Sequence, residues 1–235
     1  MILKKYEKLP EELKNKKVEE YYNILKKKKN SLVFKRLFDI IGSLLLLIIL
    51  SPVFLCVSIA IKIDSKGKVF YRQERITQYG KIFKIYKFRT MIENADKVGS
   101  LITVDNDSRI TNIGKKIRKC RLDEIPQVIN ILKGEMSFVG TRPEVKKYVD
   151  RYSDEMKATL LMPAGVTSKA SIKFKEEDEI ISNFANNGES IDDIYVKKVL
   201  PEKMKWNLEY IKEFNFLKDI KIILDTIVSV IFRKN

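Results

Sequence analysis

Apolar residues are unevenly spread along this chain, and one block of them, from Ile40 to Ile61, carries no charge. As a continuous helix that block is about 33 Å long, close to the roughly 30 Å of a bilayer's hydrocarbon core. Two features resist a simple span. Ser51-Pro52 sits at the midpoint, where proline removes a backbone hydrogen bond and clashes with the preceding turn. Basic residues flank both ends, Lys35 and Arg36 before and Lys62, Lys66, Lys68 and Arg72 after, whereas a spanning helix carries its Lys/Arg excess on one side. A helix that breaks at Ser51-Pro52 and returns satisfies both ends. A kinked span and a buried helix of a soluble protein stand as the alternatives.

Ahead of this block, residues 1–31 mix charges at helical spacing ("EELKNKKVEEYYNILKKKK") and predict a solvated, charged helical arm. It is no signal peptide, because the apolar segment begins too late and no small-residue cleavage site follows. The run Lys26–Lys29, with Lys35 and Arg36, predicts apposition to anionic phospholipid. After Lys62, "KVFYRQERI" and "KIFKIYKFRT" show partial alternation around the turn signal "TQYG" and predict a hairpin. Its second strand puts Lys87 and Arg89 on one face at the C-terminal end. Helices are expected over 91–99, in "IGKKIRKC" and from Glu144 to Met162, with a loop over 103–112 and a loop and strand in "PAGVTSKASIKF". An amphipathic helix around a proline ("YVKKVLPEKMKWNLEYIKEF") and a largely apolar one ("LKDIKIILDTIVSVIFRKN") follow. The last is too interrupted by Asp219, Lys221 and Asp225 for a span, and suits a core or an interfacial position.

Composition narrows the chemistry. At 235 residues, 45% hydrophobic, the chain can bury a real core in one or two domains. Its net charge of +15 asks for anionic partners, among them nucleic acid, anionic lipid and phosphorylated substrates. There is no histidine, so a Ser-His-Asp triad and a histidine-ligated zinc are excluded. Acid–base or nucleophilic work falls to carboxylates, Lys, Tyr, Cys or a metal-bound group. Cys56 and Cys120 read as free thiols.

The stretch "RLDEIPQVINILKGEMSFVGTRPE" sets Asp123 beside Glu124. Asp is a favoured N-cap, and Pro126 then falls in the first helical turn, so a helix start through to Gly134 accounts for the pair. Arg118 and Arg121 upstream and Arg142 downstream support another reading, since convergent arginines at a helix start hold phosphate. Carboxylates there call for a divalent cation. Mg²⁺ binds through one or two carboxylates plus phosphate oxygens, and Asp123 beside a polarised phosphorus can attack it.

At these residues the sequence resembles the bacterial sugar transferases, the monotopic phosphoglycosyl transferases that begin glycan assembly on a polyprenol phosphate. The matching pieces are "KRLFDIIGSLLLLIILSP", "YRQERITQYGKIFKIYKFRTM", "RLDEIPQVINILKGEMSFVGTRPE" and "MPAGVTSKASIKF", and the tail from "VLPEKMKWNLEYIKEF" is similar. The resemblance implies a mixed α/β, helix-rich monotopic membrane protein with a re-entrant helix-break-helix and interfacial amphipathic helices. It divides the chain into a basic helical arm (1–31), a re-entrant membrane helix reversed at Ser51 and Pro52 (32–62) and a cytoplasmic catalytic domain with C-terminal amphipathic helices (63–235). It implies transfer of a phosphosugar from a UDP-sugar to polyprenyl (undecaprenyl) phosphate with release of UMP, at the cytoplasmic face of the bacterial inner membrane. Asp123 is then the nucleophile that forms an aspartyl-phosphosugar, and Glu124 assists at Mg²⁺ or in proton handling. Arg118, Arg142 and Pro143, with Lys87 and Arg89, bind phosphate and nucleotide. Anionic phospholipid and a second copy of the chain are expected partners, and nucleic acid is not. The sequence departs from the family at Thr141, where a proline is usual, and in "PAGVTS", where "PGITG" is commoner. Residues 1–31 lie outside the resemblance. The rivals are a membrane-tethered nucleic-acid-binding or scaffold protein, indifferent to loss of Asp123, and a single-pass protein.

Overall fold

The computed structural model describes residues 3–95, 107–174 and 190–231. After two short 3-10 turns the chain forms α1 (Lys16–Lys27), α2 (Lys29–Ile49) and α3 (Ser51–Asp64). α2 and α3 meet with a bend of 60°. Pro52 lies in the first turn of α3, where its missing N–H costs little, and Ser51 Oγ donates to the Ile48 carbonyl at 2.8 Å. Among the described residues no single helix is long and apolar enough to cross a membrane, and the bent pair passes only when taken together.

The patterning of α2 is inverted. Its buried seam is Leu32, Lys35, Asp39 and Ser43, while Val33, Phe34, Leu37, Ile41, Leu44 and Ile48 are exposed. Water-facing helices do the reverse. The polar seam ties α2 to the rest of the protein. Lys35 Nζ reaches Asp219 Oδ2 and the Val139 carbonyl, each at 2.6 Å. Arg36 donates to the carbonyls of Ile131 (2.7 Å) and Leu132 (3.0 Å). Asp39 Oδ1 accepts from Ser137 Oγ and Phe138 N, both at 3.0 Å. The expected apposition of Lys35 and Arg36 to phospholipid is therefore corrected: both cations turn inward. Lys28 likewise donates to the Phe214 carbonyl at 2.6 Å. At the other end of the pair, Arg89 donates to the last carbonyls after α3, Ser65 at 2.7 Å and Lys66 at 2.5 Å.

The expected hairpin is present. β1 (Phe70–Ile76) pairs antiparallel with β2 (Ile82–Phe88), with Tyr71 opposite Lys87 and Ile76 opposite Ile82. Its turn passes through left-handed backbone at Tyr79 (φ 62°) and Gly80 (φ 72°). α4 (Asn112–Lys119) and α5 (Gln127–Lys133) follow, then β3 (Met136–Val139), which pairs parallel with β4 (Ala164–Thr167). Asn130, fully buried, joins the two sheets' neighbourhoods. Its Oδ1 accepts from Tyr86 N at 2.8 Å and its Nδ2 donates to the Lys84 carbonyl at 3.0 Å, both on the open edge of β2. Asn130→Ala strands both backbone groups, and we expect it to cost roughly 3 kcal/mol, read as a lowered midpoint of denaturant unfolding in detergent.

Three expectations are corrected here. Residues 3–25 are no solvated arm: Leu13, Val18, Tyr21 and Leu25 enter the main core with Leu161, Val199, Ile211 and Phe214. Val18, Tyr21, Tyr22 and Leu25 fall at helical spacing between the lysines, and that stripe outweighs the charge count. The span from Glu144 to Met162 is not one helix but α6 (Lys146–Val149) and a 3-10 segment over Met156–Leu161. Ala158, Thr159, Leu160 and Leu161 are all buried in succession, which a helix with one buried face cannot do. The helix expected over 91–99 is a turn through Asn94 (φ 60°) as far as Ala95, and residues 96–106 lie outside the described residues. After β4 come α7 (Lys169–Lys173), α8 (Ile191–Ile194), a π-turn over Tyr195–Val199, α9 (Leu200–Lys212) and α10 (Phe216–Ile231).

Candidate active site

α4 is capped by Thr111, whose Oγ1 accepts from Gly114 N at 3.0 Å. A Cβ on Gly114 would stand 2.1 Å from the Thr90 carbonyl oxygen, so only glycine lets α4 lie directly on the chain leaving β2. The helix stops at Cys120, and Arg121 takes left-handed backbone (φ 51°). This reverses the chain into a 3-10 turn, Leu122–Glu124, before α5 begins. The cap position of α5 is occupied by Pro126 and holds no side-chain hydrogen bond. Asp123 is thus no N-cap, and the helix-start account of the acidic pair fails. An uncommon non-glycine backbone costs about 1–3 kcal/mol and collects at functional sites.

The two carboxylates have different surroundings. Glu124 Oε1 meets Lys87 Nζ at 2.9 Å. Among the described residues Asp123 has no hydrogen bond from another side chain, although Lys87 and Arg118 act on it electrostatically. Burial pushes the Asp123 carboxyl above its ordinary value, with the neighbouring Glu124 adding to the effect and Lys87 opposing it. Burial also presses Glu124 upward, but the adjoining Lys87 ammonium, together with Arg142 and Arg121, more than offsets it, and Glu124 ends below its ordinary value. Adjacent carboxyls pushed apart in this way suit different roles. In Lys87→Met the carboxyl of Glu124 loses the cation that holds it down. If the reaction needs Glu124 ionised, the acid limb of the pH–rate profile moves to higher pH in that variant; an unmoved limb assigns the limb to another group.

Asp123 opens on a cavity of about 470 Å³ lined also by Arg72, Arg75, Lys87, Arg109 and Arg118. Arg118 Nε donates to Thr90 Oγ1 at 3.0 Å. Glu124 opens on a second cavity of about 620 Å³, which Arg142 lines as well. Arg142 is exposed, and its Nη1 donates to Ser171 Oγ at 3.2 Å. Pro143 follows it half-buried. Thr141, in place of the usual proline, is held by the backbone, since Gly165 N donates to its carbonyl at 2.8 Å. Arg89 also backs the first cavity, but its guanidinium serves the end of α3 and it is 6% exposed.

Sequence reasoning missed Arg72, Arg75 and Arg109. Arg72 stacks 3.6 Å from the centre of the Tyr86 ring, and Arg109 Nη2 pairs with Asp107 at 2.6 Å. The signal for β1 was its alternation opposite Lys87, with Tyr71, Gln73 and Arg75 on one face. No group of three His, Cys, Asp or Glu side chains placed to hold a metal occurs among the described residues. Two adjacent carboxylates nonetheless fit a Mg²⁺ ion that takes its other ligands from phosphate and water.

A family model described as bacterial sugar transferase matches residues 30–233. The chain is 32% identical over 200 residues to a UDP-N-acetylgalactosamine-undecaprenyl-phosphate N-acetylgalactosaminephosphotransferase of Aeromonas hydrophila, covering 84% of this chain and 43% of that one. It is 36% identical over 211 residues to a UDP-glucose:undecaprenyl-phosphate glucose-1-phosphate transferase of Klebsiella pneumoniae, covering 87% and 42%. The chain thus spans about two fifths of these curated relatives. An exopolysaccharide production protein, ExoY, of Sinorhizobium fredii matches over 213 residues at 32% identity, 84% of this chain and 85% of its own.

Proposed function

The chain belongs to the bacterial sugar transferase family, and from that premise we propose that it transfers a sugar 1-phosphate from a UDP-sugar to polyprenyl phosphate, as in undecaprenyl phosphate, releasing UMP in a first membrane step of bacterial glycan assembly. The observation that carries this reading is the split dyad at the head of an arginine-lined cavity: Glu124 is held by Lys87, and among the described residues Asp123 has no hydrogen bond from another side chain.

In the first step an Asp123 carboxylate oxygen attacks the phosphorus that bears the sugar. The P–O bond to UMP breaks, and UMP leaves with its bonding electrons. In the second, an oxygen of the acceptor phosphate attacks the same phosphorus. The bond to Asp123 breaks, and the carboxylate returns. Each step conserves charge and needs no external oxidant or reductant. Arg118 and the other guanidiniums of the first cavity stabilise charge on the phosphoryl oxygens. Asp123 and Glu124 would hold Mg²⁺, which supplies Lewis-acid neutralisation of the phosphates when bound.

We place α2–α3 in one leaflet, on the cytoplasmic face of the inner membrane. Both ends of the pair are tied to one body, by Lys35 and Asp39 at the start and by Arg89 at the finish, and this supports a helix that returns. The test is UMP release from a panel of UDP-sugars with Mg²⁺ and the protein in nanodiscs. Without acceptor we expect a burst stoichiometric with enzyme, together with a protein mass raised by one sugar phosphate. Chelation with EDTA abolishes the burst, and added Mg²⁺ restores it. No UMP from any donor, with the protein folded, overturns the reading.

A further inference from the structure

Glu144 lines neither cavity, yet it is only 4% exposed and gathers groups from several elements. Its backbone carbonyl accepts from Ile76 N at 2.9 Å, which ties the chain after β3 to the end of β1. Its Oε1 accepts from Tyr195 Oη at 2.7 Å, and Lys203 Nζ stands 4.0 Å from the same oxygen. Lys203 Nζ also donates to Tyr195 Oη at 3.0 Å and lies 4.8 Å from the centre of the Tyr195 ring. Tyr148 stacks on that ring, with the two centres 4.3 Å apart. Tyr195 and Lys203 are eight positions apart, and in a regular α-helix such residues stand about 80° apart around the axis. The wider π-turn over Tyr195–Val199 takes up that angle, so both side chains reach one carboxylate. Turns of this kind collect at functional sites.

Arg75 is the charge that this cluster serves. It lines the first cavity together with Asp123, and its Nη2 donates to Gln73 Oε1 at 2.8 Å. Burial presses its guanidinium below the ordinary value, and Glu144 is foremost among the groups that oppose this. The other arginines of the cavity are held differently: Arg118 by the Thr90 hydroxyl, Arg109 by Asp107, Arg72 on the Tyr86 ring. Buried ion pairs add little stability over well-packed apolar residues, so stability alone does not account for a carboxylate at Glu144. Resting on the transferase reading above, we propose that Glu144 is a positioning residue for the phosphoryl transfer. Clamped by Tyr195 and Lys203 behind the cavity wall, it holds the Arg75 guanidinium in place beside Asp123, where charge develops on the attacked phosphoryl group. Glu144 itself touches no substrate. It acts through Arg75, and Tyr195 acts through Glu144.

The test is the rate constant of the UMP burst in nanodiscs without acceptor, which reports the first step per active enzyme. Glu144→Gln keeps the side-chain shape and an oxygen for Tyr195 but removes the charge. Its burst rate constant should fall about 100-fold, the cost of a misplaced reacting group, with the half-saturating UDP-sugar concentration within about threefold of wild type. Tyr195→Phe removes one hydrogen bond from the clamp and should lower the rate constant about tenfold. Arg75→Met should fall about as far as Glu144→Gln, and adding Glu144→Gln to it should cost less than about threefold more, because groups acting as a unit are not additive. A burst of reduced amplitude with an unchanged rate constant in Glu144→Gln would make the residue structural and overturn the proposal. Losses that multiply in the double variant would overturn it too, since Glu144 would then act by a route other than Arg75. No burst from the folded wild type overturns the transferase reading and this proposal with it, whereas the two preceding outcomes strike this proposal alone.

Discussion

Asp123→Asn is expected to lower phosphosugar transfer by at least about a thousandfold, as loss of a covalent nucleophile does, and to do so without loosening the fold. The stability arm has a definite sign. Burial raises the Asp123 carboxyl above its ordinary value, so its contribution to stability is present at low pH and is lost as pH rises through the folded value. At neutral pH the wild type therefore holds a carboxylate where the fold prefers a neutral group. The amide cannot ionise, so the variant's unfolding midpoint at neutral pH, without divalent cation, should equal or exceed that of wild type. Lost activity with a lowered midpoint would point to misfolding. Near-normal activity would remove Asp123 from the chemistry altogether.

Lys35→Met should carry the largest stability effect of any single substitution raised here, about 3–5 kcal/mol. Lys35 and Asp219 are both almost fully buried and meet at 2.6 Å. Removing the ammonium leaves the Asp219 carboxylate without its cation and the Val139 carbonyl without its donor. The loss is read as a shift in the denaturant midpoint in detergent. Adding Asp219→Asn should recover at least half of it, because the amide oxygen still accepts from Tyr210 Oη, now 3.0 Å from Asp219 Oδ1, and the carboxylate paired directly with Lys35 is gone, leaving only that of Asp39, which Lys35 faces less directly. A double variant no better than Lys35→Met would mean that Lys35 acts through packing rather than charge.

The legible parts of this protein were those where local pattern and tertiary environment agree. The hairpin announced itself by alternation around "TQYG", and its register follows from that turn. Ser51-Pro52 in a chargeless block marked the bend. The acidic pair was visible, but its neighbours were not, because what distinguishes Asp123 from Glu124 is a strand lysine 37 positions upstream of the glutamate. Arg89 misled for a similar reason. On the strand it looks like an anion ligand, yet it is consumed by the carbonyls at the end of α3, a partnership set by how the bent helix pair docks. β3 and β4 escaped notice as a pair because parallel strands find each other across 28 positions with no turn to signal it. The basic arm was misjudged because counting lysines hides a buried stripe whose partners lie at the other end of the chain.

That last arrangement also dictates an order of assembly. Tyr21 Oη bonds to Glu155 at 2.6 Å, and Lys28 reaches the Phe214 carbonyl across 186 positions. The ribosome delivers Leu13, Val18 and Leu25 long before Ile211 and Phe214, the residues that bury them. During synthesis the apolar stripe of α1 must wait exposed while α2 and α3 emerge, so this bent helix pair is made before the globular core can close. Closure then comes late, when Ile211 and Phe214 arrive to cover the stripe of α1.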